Sequence, residues 1–349
     1  MVWIAWLVPV TLTVIGLIVL VAAGCGGSGK KSSANTTTSS SGKSGKNIGL
    51  VTDIGGLNDR GFNHLSYVGL LRAQSELGIQ QQVFQAKSTQ DYVPNLSTFA
   101  RQGYDLTIGV GFTEATAIDT VATTFPKSNF AIVDVDQKEE PHKPANLLGL
   151  LFREQETGYL VGYLAGLEEK RRPGKDVIGS VGGQKQPPVD RFIAGYQAGA
   201  KAADPGITTL NGYSEDFSDL AKCKQIALNQ IEQGAGVIFQ VAGGCGLGAL
   251  DAAKEKGVWG IGVDADQSFL GPHILTSAVK RVDTAVFDAI KLVVDGKFKG
   301  GNIVFGLKDN GVGLGKISPK VPKSEVAKVM KVRADIIAGK IKNIPTEVP

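Results

Sequence analysis

Residues 48–63, IGLVTDIGGLNDRGFN, decide the fold. An apolar run ends in an acid, Asp53, turns through Gly55 and Gly56, and sets Asn58, Asp59, Phe62 and Asn63 at the start of a helical pattern. A strand that feeds a polar loop and a helix N-terminus is the building unit of open α/β sheets, and ligands gather at the carboxyl ends of such strands. The residue types suit a small-molecule pocket with a carboxylate, amides and one aromatic face.

The same unit recurs along the chain. Strand candidates lie at 47–53, 81–86, 104–110, 129–135 and 146–151, then at 176–181, 207–213, 236–241, 258–263 and 274–279, with helical patterns between most of them. Alternation at this spacing predicts βαβ units and parallel sheets. The two sets of five have similar layouts with no evident residue-level repeat. They predict two doubly wound lobes, 47–152 and 153–279, the first completed by a segment near 280–300 and the second by one near 302–345. In the tail, 302–307 reads as a strand, Asp309-Asn310-Gly311 as a turn and 312–317 as a return segment, so a hairpin is expected there, followed by a helix at 322–339. Chain crossings beyond two would make a hinge of several strands.

A helix at 152–168, FREQETGYLVGYLAGLE, marks the expected lobe boundary. Gly158, Gly162 and Gly166 share one face and predict close packing. Arg153, Glu154, Gln155 and Glu156 argue against a membrane dimerisation face.

The N-terminus is of another kind. Residues 2–24 are apolar or small apart from two threonines and end in Ala22-Ala23-Gly24-Cys25, which resembles a bacterial lipoprotein signal at 1–24 with Cys25 as the lipidated residue. The alternative is an uncleaved membrane anchor, since the run is long enough to span a bilayer. Either reading places the rest outside the cytoplasm, at the cell membrane. The Ser, Thr, Gly and Lys composition up to residue 46 predicts a flexible tether at 25–46. The net charge of +4 sits there: with Lys30, Lys31, Lys43 and Lys46 set aside, 33 basic residues face 33 acidic ones. No nucleic-acid partner is implied.

Among chemistry-bearing residues, His64, His142 and His273 are isolated and give a metal site no support. There is no GxSxG or HExxH motif, and no cofactor is expected. In an exported protein Cys223 and Cys245 suit a disulfide, although sequence spacing does not give the separation a bridge requires. The run AGGCGLG at 242–248 is a tight strand-to-helix turn whose bare backbone N–H groups could approach a ligand hydroxyl. It lacks the spacing of a phosphate loop. Asp264 and Asp266 end one strand and Lys280 the next, an arrangement suited to a polyhydroxylated ligand; for Asp266, capping is the better reading.

Five segments in register, IGLVTDIGGLNDRGFN, FREQETGYLVGYLAG, VAGGCGLGAL, GVDADQ and ILTSAVKRVD, spread over nearly all of 47–315, resemble the BMP (basic membrane lipoprotein) family of ABC-transporter substrate-binding proteins, a group that includes bacterial purine nucleoside receptors. The resemblance implies a type I periplasmic-binding-protein fold, two Rossmann-like lobes joined by a multi-strand hinge. It implies a base held between Phe62 and Phe217, its edge read by Asp53, with Asn58 and Asn63 in the same motif. Asp264 and Lys280 would hold the ribose, with a backbone contact from Gly243. Asn58 and Gly61 stand where the family commonly has Asp and Ser, which puts ligand preference in question. A monomer without catalytic activity, delivering a purine nucleoside to a permease, is the expectation. The alternatives are a receptor for a sugar or other small polar metabolite and, less well supported, a Rossmann-type enzyme, for which the fingerprint is missing after the first strand.

Overall fold

The computed structural model describes residues 44–174 and 176–348. Cys25, most of the expected tether and the export segment lie outside them. Among the described residues, no helix is long and apolar enough to cross a membrane.

Two six-stranded sheets carry the fold. The first contains β1 (Asn47–Thr52), β2 (Gln80–Gln85), β3 (Leu106–Val110), β4 (Phe130–Val133), β5 (Leu147–Phe152) and β11 (Gly301–Phe305), in the order β11-β5-β4-β3-β1-β2. The second contains β6 (Val177–Gly182), β7 (Thr208–Tyr213), β8 (Val237–Val241), β9 (Trp259–Asp264), β10 (Ile274–Lys280) and β12 (Val312–Leu314), in the order β12-β10-β9-β8-β6-β7. All pairings are parallel except β10 with β12. Helices cover both faces, so the central strands are buried throughout and read as continuous apolar runs such as FAIV in β4 and LLGLLF in β5. This is the expected periplasmic-binding-protein-like architecture.

The lobe boundary follows from a close helix pair. In α4 (Glu154–Glu169), a side chain at Gly158 or Gly162 would collide with the backbone of Phe192 or Tyr196 in α5 (Pro187–Ala203). Gly195 and Gly199 of α5 face the carbonyls of Gln155 and Tyr159 in the same way. The glycine spacing thus serves helix packing inside the second lobe.

The expected hairpin at 302–317 is not formed. β11 pairs with β5 of the first sheet, while β12 pairs with β10 of the second. The turn chemistry is present: Asp309 Oδ1 accepts from Gly306 N at 2.7 Å, Gly311 N donates to Gly306 O at 2.8 Å, and Asn310 has φ 58°. A turn signal is local and does not choose the partner strand, so the segment expected to complete the second lobe divides. α8 (Val282–Val294) packs on α1 (Phe62–Leu77) of the first lobe, and α9 (Lys323–Ile337) on α4 of the second.

The chain therefore passes between sheets three times: at Phe152–Arg153, at Lys280–Arg281 and through 306–311. These passages are bonded together. Arg153 N donates to Phe305 O at 2.9 Å, Arg281 N to Gly311 O at 2.8 Å, and Leu307 N to Glu156 Oε2 at 2.7 Å.

Candidate functional site

In an open parallel sheet the crevice lies where strand order reverses, at the carboxyl ends. Here that is β1 beside β3 in one sheet and β6 beside β8 in the other. The residues that follow those strands line one cleft between the sheets, together with the ends of β4, β9 and β10; it holds about 610 Å³ of empty space, its open mouth included.

At one end, Asp53 follows β1. Its Oδ1 accepts from Gly55 N at 2.8 Å and from Asn63 Nδ2 at 2.7 Å, while Asn63 Oδ1 accepts from Asp53 N at 3.2 Å. Asp59 caps α1: its carboxylate accepts from the backbone N–H groups of Gly61, Asn63 and His64 at 2.7–3.1 Å, and from Asn63 Nδ2 at 3.1 Å. A carboxylate there complements the helix dipole. Burial pushes the Asp53 carboxyl up to about 6, against the Asn63 and Gly55 hydrogen bonds, with Asp59 and Asp134 adding to the rise. Behind it, burial holds Glu114 well above the usual carboxylate range.

Two phenyl rings form the middle. Phe62, at the first turn of α1, lies against Gly111, where an added Cβ would stand 3.1 Å from the ring. Phe217 lies so close to Gly183 that any side chain there would overlap it. The Phe217 backbone carbonyl accepts from Cys245 N at 2.9 Å, and Cys245 is disulfide-bonded to Cys223 with Cα atoms 5.6 Å apart. The bridge ties the start of α6 (Leu220–Glu232) to the turn carrying Gly243. One ring comes from each lobe.

At the other end, Lys280 closes β10. Its Nζ lies 2.6 and 2.7 Å from the two oxygens of Asp134 and 3.0 Å from Glu154 Oε1, and the phenyl rings of Phe152, Phe62 and Phe192 surround it with centroids 4.9–5.8 Å away. Burial alone would lower the lysine, but Asp134, Glu154 and Asp264 outweigh it and raise it above its ordinary value. Burial also pushes Asp264 up to about 7, although Lys280 acts the other way. Because Asp134 belongs to the first lobe and Lys280 to the second, this buried ion pair joins the two walls.

Asp53, Phe62, Asn63, Phe217, Gly243, Asp264 and Lys280 all line the cleft. Asn58 does not. It is exposed and lines an outer groove with Arg60, His64 and Phe269, because capping by Asp59 turns the loop tip away from the cleft. Asn63 reaches the cleft, but both amide hydrogens and its oxygen are engaged by Asp53 and Asp59, so it positions those acids. Asp266 Oδ1 accepts from Ser268 N at 3.1 Å, a cap as expected.

Sequence reasoning missed Asp134, Glu154, Thr113, Gln186 and Phe192. For Asp134 a signal was there: Val133-Asp134-Val135-Asp136-Gln137 repeats the pattern of Val263-Asp264-Ala265-Asp266-Gln267. The two motifs leave β4 and β9, which hold the same place in the two sheets, and both aspartates have left-handed backbones, φ 72° at Asp134 and 61° at Asp264. Aspartate tolerates that region better than most residues.

Among the described residues there is no group of His, Cys, Asp and Glu able to hold a metal ion. The polar groups instead suit a neutral ligand with an aromatic body and hydrogen-bonding ends.

The family described as ABC transporter substrate-binding protein PnrA-like matches residues 46–346. A Lactococcus lactis protein named ABC transporter nucleoside-binding protein BmpA is 37% identical over 84% of this chain and 87% of its own length. An uncharacterized lipoprotein of Pyrococcus horikoshii is 38% identical over 88% of this chain and 76% of its own. Among solved structures, a solute-binding protein of an ABC transporter system from Aeropyrum pernix superposes with a TM-score of 0.78 at 28% identity, covering 86% of this chain and 94% of that one.

Proposed function

We propose that this chain, which belongs to the Bmp family of PnrA-like substrate-binding proteins of ABC transporters, captures a purine nucleoside by closure of its cleft and delivers it to a membrane permease. One observation carries the reading: two glycine-backed phenyl rings, one from each lobe, face a cleft with a carboxylate that has no cation partner among the described residues at one end and an aspartate–lysine cluster at the other. A planar base fits between the rings, its edge at Asp53, and a ribose presents hydroxyl donors to Asp264.

Stacking on aromatic faces contributes about 1–3 kcal/mol per base in single-stranded nucleic-acid sites, and two faces supply a sizeable part of the roughly 8 kcal/mol of a micromolar affinity. Contacts from both lobes favour the closed state, and no reaction is needed. The name carried by the Lactococcus lactis relative supports the ligand class. The Pyrococcus relative's name supports a lipid anchor, here on Cys25, which holds the protein outside the cytoplasm at the cell membrane.

A thermal-shift panel tests the reading. Adenosine, guanosine or inosine at about 100 times its dissociation constant should stabilise the ligand-free protein by about 2.7 kcal/mol. A panel in which sugars stabilise and nucleosides do not would replace the nucleoside with a sugar.

A further inference from the structure

We infer that Asp53 reads the six-membered edge of the base with a single oxygen, Oδ2, and that the protonation of this oxygen selects between a 6-oxopurine and a 6-aminopurine. The inference rests on the nucleoside reading and deepens it.

The geometry leaves one oxygen for the ligand. Oδ1 is filled by Gly55 N at 2.8 Å and Asn63 Nδ2 at 2.7 Å. The Asn63 amide is itself held by Asp59 at 3.1 Å and by the Asp53 backbone N–H at 3.2 Å, so the carboxyl cannot exchange its oxygens without breaking this set. Oδ2 turns to the cleft beside Gly111, where an added Cβ would lie 3.3 Å from it. No hydrogen bond from the described residues reaches Oδ2.

Base chemistry gives that oxygen two complementary roles. A 6-oxopurine carries a hydrogen on N1, which an ionised Oδ2 accepts. A 6-aminopurine carries a lone pair on N1, which a protonated Oδ2 meets as a donor. The wrong combination sets donor against donor or lone pair against lone pair in a buried site, which is where mismatched polar groups discriminate most.

The surroundings keep both states within reach. Asp59 in the capping loop, Asp134 at the end of β4, Glu114 after β3 and the Tyr92 hydroxyl of α2 (Tyr92–Arg101) face Asp53 from its own lobe, and none of them is a cation. Across the cleft stand Asp264 and Lys280, the lysine engaged with Asp134 and Glu154. Burial without a cation partner raises the Asp53 carboxyl to about 6, so it changes state close to neutral pH.

The test is calorimetric titration of the intact chain with inosine and with adenosine at about pH 5 and about pH 7. The two ligands share the sugar, so titration of Asp264 affects both alike and cancels in the ratio of their dissociation constants. That ratio, inosine over adenosine, should rise on the order of a hundredfold from the higher to the lower pH, by roughly tenfold weaker inosine and tenfold tighter adenosine. In the Asp53→Asn variant, Oδ1 keeps both of its donors while an amide N–H replaces Oδ2. This variant should favour adenosine at both pH values with a constant ratio. A constant ratio in the unaltered protein overturns the inference, as does a pH-dependent ratio that persists in Asp53→Asn. Absence of binding by both nucleosides at both pH values overturns the nucleoside reading and this inference with it.

Discussion

The turn VDVDQ at 133–137 and the turn VDADQ at 263–267 leave equivalent strands of the two sheets with the same left-handed aspartate, yet the two aspartates differ chemically. Asp134 meets Lys280 across the cleft at 2.6 Å. Among the described residues Asp264 makes no such bond, and burial pushes its carboxyl up to about 7. Local sequence sets the backbone of both turns, but their ion pairing differs: Lys280 of the opposite lobe lies on Asp134, and no cation of the first lobe is brought to Asp264 among the described residues. One copy closes the cleft through an ion pair. The other lines the cleft without an ion pair of that kind among the described residues.

Removing the cation should break this difference most severely. Lys280→Met leaves Asp134 and Glu154 buried without their partner, and truncating one side of a buried pair typically costs about 3–5 kcal/mol. Urea unfolding of the ligand-free protein should show a loss of that size, and adding Asp134→Asn to the same chain should recover part of it. A loss below about 1 kcal/mol would mean that the ion pair does not distinguish the two turns.

The second turn is tested by pH. Asp264 holds its proton to about 7 in the folded chain and only to about 3.8 when unfolded, so the folded state binds more protons between those values. Its contribution is complete below the unfolded value and is lost as pH rises through the folded one. For a shift of this size the contribution is on the order of 4 kcal/mol. Asp53, raised to about 6, acts in the same direction over a narrower window. Ligand-free protein should therefore be less stable at about pH 7 than at about pH 5 when followed by denaturant midpoints, and Asp264→Asn should flatten that slope more than Asp53→Asn does. A steeper slope in Asp264→Asn would reverse the roles given to the two ends of the cleft.

The difference between the turns also marks how far the sequence could be read. The strand–loop–helix unit at 48–63, the alternation behind it and the glycine face of α4 were legible because they depend on residues close in the chain. The lobe assignment of β11 was not, since a turn at 306–311 looks the same whether its strands pair with each other or with different sheets. That Asp53 and Phe62 stand at the cleft was legible from their motif. Asp134 was passed over even though its motif is repeated at Asp264, and the engagement of Asn63 by two acids shows only when all three side chains are placed together.

Each lobe also supplies one ring, and the comparison sharpens if the two are worth different amounts. Phe62→Ala and Phe217→Ala should each weaken nucleoside binding by about tenfold to a hundredfold, as expected for the loss of one stacking face. The Phe217 wall is tied to the Cys223–Cys245 bridge through its carbonyl, whereas Phe62 sits in the first turn of α1 against Gly111, away from that bridge. Reduction of the bridge should therefore weaken binding in the unaltered chain and have less effect once Phe217 is alanine. Equal effects of reduction in both proteins would show that the bridge does not act through that ring.

The smallest effect belongs to a residue that shares a motif with the site without reaching it. Asn58 stands next to Asp59, yet it is exposed on an outer groove while Asp59 is buried and caps α1. Asn58→Ala removes no contact with the cleft, so nucleoside affinity should change by less than about 0.5 kcal/mol, the usual range for surface positions. A tenfold loss in a direct titration would bring the loop tip into contact with the ligand. It would then add to the first lobe a polar contact beyond the one proposed for Asp53.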